Sequence, residues 1–232
     1  MSVYLLINIL ILLIPLILSF ENKLKYYKNF PAVLISILTT GFVYIVWDIA
    51  ATAQEDWSFN QNYVSGLKVF NLPFEELLFF ITVPYACLFI YESVSYYLND
   101  RRLQINDNYF YGAAVIFLVL SLLFVEQNYT FTVFLLCGSY FILATNFSKS
   151  LLVSSNYWIT ILITFIPFFI VNYFLASLPV VNYNSQSFSG IRIITIPLED
   201  FFYSFSMLSF NIFSYSLAKE FMKEKETELT AA

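Results

Sequence analysis

The chain has 232 residues, of which 59% are hydrophobic and 12% are charged, and its net charge at pH 7 is -5. A soluble domain is about 25% charged, so the composition excludes an ordinary soluble protein, and the negative charge argues against a nucleic-acid partner. The sequence contains no histidine, which removes the commonest proton-transfer residue and metal ligand. We therefore expect a polytopic membrane protein without a metal site.

Apolar runs long enough for membrane helices recur along the whole chain. About 20 mostly apolar residues are needed to cross a bilayer. We predict an all-α bundle of seven transmembrane helices, at about 3–20, 31–49, 74–97, 108–125, 130–147, 157–177 and 196–217. Cys87 and Cys137 fall inside these spans, and we interpret them as small buried residues that form no disulfide.

The positions of lysine and arginine predict the orientation, because cytoplasmic loops carry an excess of both. With seven spans, nine of these residues fall on the side that includes Lys23, and only Lys68 and Arg192 fall on the other. We predict a multi-pass protein of the cytoplasmic (inner) membrane. Its N-terminus lies outside, and its polar tail, at 218–232, lies inside.

A shift of 124 positions aligns the second half of the chain with the first. The matched residues are a glycine, a cation, a proline and two acids: Gly66 with Gly190, Lys68 with Arg192, Pro73 with Pro197, Glu75 with Glu199 and Glu76 with Asp200. We interpret the chain as one membrane domain of two three-helix repeats, at 1–97 and 130–217. The extra helix at 108–125 makes the repeats parallel, so both acid pairs are predicted at the same membrane face.

Each repeat places two adjacent acids at the head of an apolar span, Glu75-Glu76 and Glu199-Asp200. Acids after a proline are ordinary at a helix start, where they meet the positive end of the helix dipole. Acids in a membrane span are costly, however, and usually face the bundle interior or a cavity. A buried carboxyl group tends to stay protonated and can donate a proton, while a neighbouring carboxylate can accept one. Adjacent helical positions point about 100° apart, so we expect one acid of each pair to face a cavity.

Asp48 and several aromatic residues complete the predicted site. Asp48 ends the second span, and its counterpart is Asn172; the alternative interpretation is an interfacial acid beside an aromatic belt. Lys68 and Arg192 either hold one acid of each pair ionised or are ordinary loop cations. An aromatic face stabilises a cation without forming a covalent adduct, although packing or lipid contact would explain any single ring. The candidate substrate-binding residues are Trp47, Phe79, Phe80, Tyr85, Phe201, Phe202 and Tyr203.

These motifs resemble those of the intramembrane lycopene cyclases, the small type that uses no flavin. The resemblance rests on "FVYIVWD" at 42–48, on Trp57 and Phe59, on "GLKVFNLPFEELLFF" at 66–80 and on "YE" at 91–92. The P-x-E-[ED] motif occurs twice, as in the fused tandem form of a family that also occurs as two subunits and as a fungal fusion with phytoene synthase. The second copy departs from the pattern, since Asn172, Val181 and Ser216 replace an acid, a tryptophan and a glutamate.

The resemblance implies a lycopene β-cyclase, an isomerase of the intramolecular lyase class. An acid protonates the terminal C1=C2 bond of an acyclic ψ-end, the C5=C6 bond attacks the C1 cation, and a base removes the C6 proton. The products would be γ-carotene and β-carotene. The resemblance further implies no cofactor, a lipid-soluble carotenoid substrate, contacts with membrane lipid and with other enzymes of the carotenoid pathway, and an architecture similar to intramembrane prenyltransferases.

Other functions stay open at this level. A cyclase could form an ε-ring or act on a C50 carotenoid. A prenyltransferase would need aspartate clusters that hold Mg²⁺ and diphosphate, and no D-x-x-x-D occurs in the chain. A small-solute transporter would be favoured by glycine-rich broken helices, whereas the chain has five glycines. A retinal protein would need a lysine inside 196–217, and a flavin enzyme would need G-x-G-x-x-G; neither is present.

Overall fold

Helices make up most of the computed structural model, which describes residues 2–231. The long helices are α1 (Val3–Leu18), α2 (Phe30–Ala53), α3 (Phe74–Tyr97), α4 (Asp107–Leu123), α5 (Asn128–Phe147), α7 (Ser155–Ser177) and α8 (Leu198–Ala231). A 3-10 turn at Tyr26–Asn29 precedes α2, and a single turn, α6 (Lys149–Leu152), precedes α7. The all-α prediction is confirmed, and each predicted span overlaps one long helix. The last helix continues beyond the predicted end at 217 into the polar tail.

Four helical segments are long and apolar enough to cross a membrane, namely Tyr26–Ala53, Phe74–Tyr97, Asn128–Phe147 and Ser155–Ser177. Two further apolar helices, α1 and α4, are shorter. The protein is therefore a membrane protein. The count of seven spans, the inner-membrane location and the orientation of the termini remain predictions.

Polar side chains set the starts of three helices. Ser2 Oγ accepts a hydrogen bond from the Leu5 N–H at α1, Asn106 caps α4, and Ser154 caps α7. Such caps satisfy the N–H groups that the first helical turn leaves unpaired. In contrast, α3 and α8 begin directly after a proline and carry their acid pairs in the first turn.

Two short hairpins lead into the acid-bearing helices. Strand β2 (Lys68–Val69) pairs with β3 (Leu72–Pro73), and β5 (Arg192–Ile193) pairs with β6 (Ile196–Pro197). Gly66 and Gly190 precede these hairpins with φ of 85° and 80°, a conformation in which other residues are strained. All these positions differ by 124, which supports the interpretation of two repeats.

A third strand pair joins the two halves of the chain. Strand β1 (Trp57–Phe59) pairs antiparallel with β4 (Val181–Tyr183), and Ser58 lies opposite Asn182. These two central residues also differ by 124, so the pairing has a local two-fold symmetry. It connects the halves at the end of the bundle where α3 and α8 begin.

The long helices pack against one another in pairs. Helix α1 packs against α3, α2 against α8, α4 against α5, and α3 against α7. At the α4–α5 contact a Cβ on Gly138 would lie 2.9 Å from Leu118 Cγ, so the absence of a side chain permits close approach. Both cysteines are free, as predicted; Cys137 is buried, whereas Cys87 is only partly buried.

Candidate active site

A cavity of about 470 Å³ begins at the end of the bundle where α3 and α8 start. Its wall is formed by residues of α1, α2, α3, α5, α7 and α8 and of strands β1 and β4. Most of the lining is apolar, and the carboxyl groups in it are those of Asp48, Glu76 and Asp200. The structure therefore brings acids from both halves of the chain into one space.

One acid of each adjacent pair reaches this cavity and the other does not. Glu76 and Asp200 line it, whereas Glu75 and Glu199 are buried outside it. Neighbouring positions on a helix point in different directions, and this rotation separates the two acids of each pair. The prediction that one acid per pair faces a cavity thus corresponds to the observed arrangement.

The two acids outside the cavity anchor the loops before the hairpins. Glu75 Oε1 accepts hydrogen bonds from the Ser65 N–H and from Ser2 Oγ, both at 2.6 Å. Its counterpart Glu199 binds a backbone N–H and a hydroxyl in the same manner, from Ser189 at 2.8 Å and Thr130 at 2.7 Å. Each acid therefore joins the loop before a hairpin to another part of the bundle: Glu75 binds the capping residue of α1, and Glu199 binds α5.

Asp48 of α2 and Glu76 of α3 both line the cavity, and hydrogen-bond donors from elsewhere in the chain hold each of them. The Trp57 indole N–H donates to Asp48 Oδ1 at 2.7 Å, and the Thr52 hydroxyl donates to the same oxygen at 3.3 Å. The other oxygen, Oδ2, is buried without a hydrogen-bond partner in the described part of the chain. The Tyr4 hydroxyl donates to Glu76 Oε2 at 2.5 Å.

Asp200 has different surroundings, because a tyrosine hydroxyl donates to each of its oxygens. Tyr129 donates to Oδ1 at 2.6 Å, and Tyr183 donates to Oδ2 at 2.8 Å. The two rings stack, with centroids 6.0 Å apart and an interplanar angle of 8°. Tyr183 lies on β4, outside the helices, and burial together with the charge of Asp200 raises its pKa well above the usual 10. At neutral pH this phenol therefore stays protonated and can donate.

Aromatic rings surround the three cavity acids. Tyr203 lines the cavity, and its ring lies 5.1 Å from Trp47 and 5.3 Å from Tyr44. Trp57 packs on Tyr129, with 5.1 Å between ring centroids. These contacts place an aromatic wall next to the acids.

Only some of the candidate substrate-binding rings reach the cavity. Phe79 and Tyr203 are in its lining. Five others pack elsewhere: Trp47 behind Tyr203, Phe80 against Tyr44 and Met207, Tyr85 against Tyr26, Phe201 against Phe165 and Phe168, and Phe202 against Phe117 and Phe134. A ring pattern in a sequence does not show which face of a helix is buried, so it does not separate these two groups.

Several cavity residues were missed by the sequence analysis. Tyr4, Tyr129 and Tyr183, which hold Glu76 and Asp200, were not assigned to the site, and neither was Phe168 in the cavity wall. Tyr4 and Tyr129 differ by 125 positions, so a shift of 124 does not align them and the repeat does not indicate them. Tyr183 aligns with a phenylalanine and is not indicated either.

The loop cation of the second half lies against aromatic rings. The Arg192 guanidinium lies 4.9 Å from the Phe188 ring centroid and donates to the Thr195 carbonyl oxygen at 2.6 Å. Within residues 2–231 neither Arg192 nor Lys68 forms a salt bridge with an acid. Arg192 also lies 5.7 Å from the centroid of the Tyr183 ring, whose hydroxyl binds Asp200, so the cation approaches this acid through a tyrosine.

Fold and site together define a helical membrane protein with an acid-lined apolar cavity. The family model described as lycopene cyclase matches residues 1–94 and 126–218, two segments that are consistent with a tandem form. The chain belongs to the lycopene cyclase family. Its family implies an enzyme of carotenoid cyclisation with a carotenoid substrate. Neither the curated proteins nor the solved structures include a match.

Proposed function

We propose that the protein converts the ψ-ends of lycopene into β-rings by acid–base catalysis without a cofactor, giving γ-carotene and β-carotene. The observation that carries this proposal is the convergence of Asp48, Glu76 and Asp200 on one apolar, ring-lined cavity. A hydrocarbon substrate needs an apolar space. Its cyclisation needs only a proton donor, a proton acceptor and stabilisation of a cation between the two steps.

The Asp48–Glu76 pair is the proposed proton donor. Two carboxyl groups that face one apolar space carry a shared proton at lower cost than two negative charges. Tyr4 and Trp57 hold one oxygen of each, so both carboxyl groups are oriented. Glu76 delivers the proton to C2 of the terminal C1=C2 bond, whose electrons form the new C–H bond, and C1 becomes the cation.

Ring closure then requires no further reacting group from the protein. The electrons of the C5=C6 bond form the C1–C6 bond, and the positive charge moves to C5. Tyr203, Phe79 and Phe168 line this part of the cavity, and their ring faces stabilise the cation without trapping it.

Asp200 is the proposed base. Its carboxylate accepts the proton from C6, and the electrons of that C–H bond form the C5=C6 bond of the β-ring. The hydroxyls of Tyr129 and Tyr183 hold both of its oxygens and orient it toward the substrate. One proton transfer from Asp200 back to the acid pair restores the enzyme, so the reaction is an isomerisation with no net redox change.

The remaining candidate residues support this site from outside. Glu75 and Glu199 anchor the hairpin loops. Trp47, Phe80, Tyr85, Phe201 and Phe202 pack the helices that carry the acids. We further propose seven membrane crossings in the inner membrane, with the two repeats parallel and the cavity acids near the outer face.

The test is expression in cells that accumulate lycopene, followed by chromatography of the pigments. The wild type should convert red lycopene to γ- and β-carotene. Glu76→Gln should leave lycopene unchanged, whereas Glu75→Gln, the matched control in the same helical turn, should retain conversion. Unchanged lycopene with wild-type protein folded in the membrane would overturn the proposed function. Activity in Glu76→Gln would overturn the assignment of the donor.

A further inference from the structure

The cavity continues from the acids as a groove along α3. The α3 residues in its lining are Glu76, Phe79, Val83, Ala86, Cys87 and Ile90. Apart from the neighbours Ala86 and Cys87, they are three or four positions apart, which places them along one face of the helix. From Glu76 to Ile90 there are 14 steps of 1.5 Å, so this stripe is about 21 Å long.

Helices α1 and α7 form the two sides of the groove. Both pack against α3, and they meet at the acid end, where Tyr4 of α1 and Leu175 of α7 belong to one buried cluster. Deeper in the bundle the groove opens sideways. Ile14 of α1 and Ile170 of α7 line it and are nevertheless 64% and 54% exposed.

Beyond the acids, most residues that line the groove are apolar, and Thr164, Asn172 and Ser204 are polar residues in its lining. On α3 the stripe carries no charged residue beyond Glu76. In its deeper half lie Ala86 and Cys87, two small side chains between the larger Val83 and Ile90. A space of this form fits a long, thin hydrocarbon whose reactive end lies at the acids.

We propose that this groove holds the unreacted polyene chain of the carotenoid, which enters sideways from the bilayer between α1 and α7, and that Ala86 and Cys87 provide the clearance for it. The inference rests on the proposed function, because it assigns the end of the same chain to Glu76. The lateral opening explains how an insoluble substrate reaches buried acids: it passes from lipid into protein without crossing water.

The test measures pigment binding separately from turnover. Glu76→Gln protein is purified from lycopene-accumulating cells, and bound lycopene per protein is read from its absorbance. Adding Ala86→Phe should lower the bound lycopene at least tenfold, because the ring fills the floor of the groove. The matched control is Ile81→Phe, on the same helix at a position that is 48% exposed and outside the groove, and it should keep the pigment. In protein that retains Glu76, Ala86→Phe should abolish cyclisation and Ile81→Phe should preserve it.

If Ala86→Phe kept both its bound pigment and its turnover, the proposed role of the groove would be overturned. The proposed function would stand as long as the wild type is active. An equal loss of pigment in Ile81→Phe, or a lipid acyl chain held in place of lycopene, would also overturn the role of the groove. An inactive wild type would overturn the proposed function, and the pigment difference between the two variants would still report on the groove. Ala86→Val provides a smaller step: it should lose an intermediate amount of pigment, and no loss would count against the groove if Ala86→Phe fails to fold.

Discussion

The indole N–H of Trp57 donates a 2.7 Å hydrogen bond to Asp48 Oδ1. Trp57 lies on β1, which pairs with β4 from the other half of the chain. The strand pair between the halves therefore orients an acid at the end of α2. This relationship makes Trp57 a positioning residue in the proposed mechanism.

Replacing Trp57 by phenylalanine tests that role. The variant keeps a ring next to Tyr129 but loses the donor. A hydrogen bond to a charged group contributes about 1.5–3 kcal/mol, and each 1.36 kcal/mol corresponds to about tenfold in rate. We expect at least tenfold slower cyclisation in isolated membranes. Trp158→Phe is the control: its indole binds the Leu152 carbonyl oxygen at the start of α7, at the opposite end of that helix from β4, and it does not line the cavity. Equal rates in the two variants would contradict the positioning role.

The tyrosines that hold Asp200 should also affect the rate. Tyr129→Phe and Tyr183→Phe each remove one donor and leave the ring, so the carboxylate loses part of its orientation. We expect slower turnover in both variants, measured as initial rates of β-ring formation. Tyr173→Phe, on the exposed side of α7, should match the wild type. Wild-type rates in both Asp200 partners would show that Asp200 needs neither hydroxyl.

Glu199 and Asp200 should separate stability from chemistry. Glu199→Ala leaves the Ser189 N–H and the Thr130 hydroxyl without their acceptor, which costs about 1–3 kcal/mol of folding free energy. We expect a lower thermal unfolding midpoint in detergent with turnover per folded protein preserved. Asp200→Asn should show the reverse, near-normal unfolding and a loss of about 10²-fold or more in turnover. If Glu199→Ala instead lost turnover and Asp200→Asn lost stability, Glu199 would be the catalytic carboxylate and Asp200 the structural one.

The convergence of acids from both halves of the chain on one cavity predicts the order of the products. Both ends of lycopene must use the same acids, so the two rings form in separate events. In a time course with limiting enzyme, γ-carotene should appear first and decline as β-carotene rises. Formation of β-carotene without free γ-carotene at any time would argue against one shared site.

Asp100 predicts a pH dependence of stability at the other end of the bundle. Its Oδ1 accepts hydrogen bonds from the Ser154 hydroxyl at 2.8 Å and from the Asn156 N–H at 3.2 Å. Burial by itself raises the pKa of Asp100, but these hydrogen bonds and the charge of Arg102 outweigh it and lower the pKa below the usual 3.8. The resulting stabilisation is present above the usual pKa and is lost as the pH falls through the lowered value.

The measurement compares thermal unfolding of the wild type and Asp100→Asn. Their difference in stability should be constant above pH of about 5 and should shrink below pH of about 4, as Asp100 becomes protonated. Asp107→Asn, whose carboxylate pairs with an exposed lysine, serves as a comparison for general acid effects. A difference that grows toward low pH would contradict the assigned direction.

Much of the helical architecture could be predicted from sequence because it depends on local composition. Apolar runs such as 74–97 and 157–177 must satisfy their own backbone hydrogen bonds in a membrane, and only helices do so within one segment. Proline before acids indicated where α3 and α8 begin. The tail after 217 was harder to place, since a polar segment at a helix end can continue or stop at little cost.

The contacts of the acids could not be predicted, because they join positions that are far apart in the chain. Tyr4 reaches Glu76 across 72 positions, and Tyr129 reaches Asp200 across 71. One sequence shows which residue types are present. It does not show which of many tyrosines approaches a given acid.

The sequence by itself determined the class of the protein: a membrane helical chain with two acid pairs and the motifs of the lycopene cyclase family. Only the tertiary structure decided that Glu76 and Asp200 face the cavity while Glu75 and Glu199 anchor loops. The physical reason is rotation about the helix axis. Adjacent side chains point about 100° apart, and which of them faces inward depends on how α3 and α8 pack against the other helices.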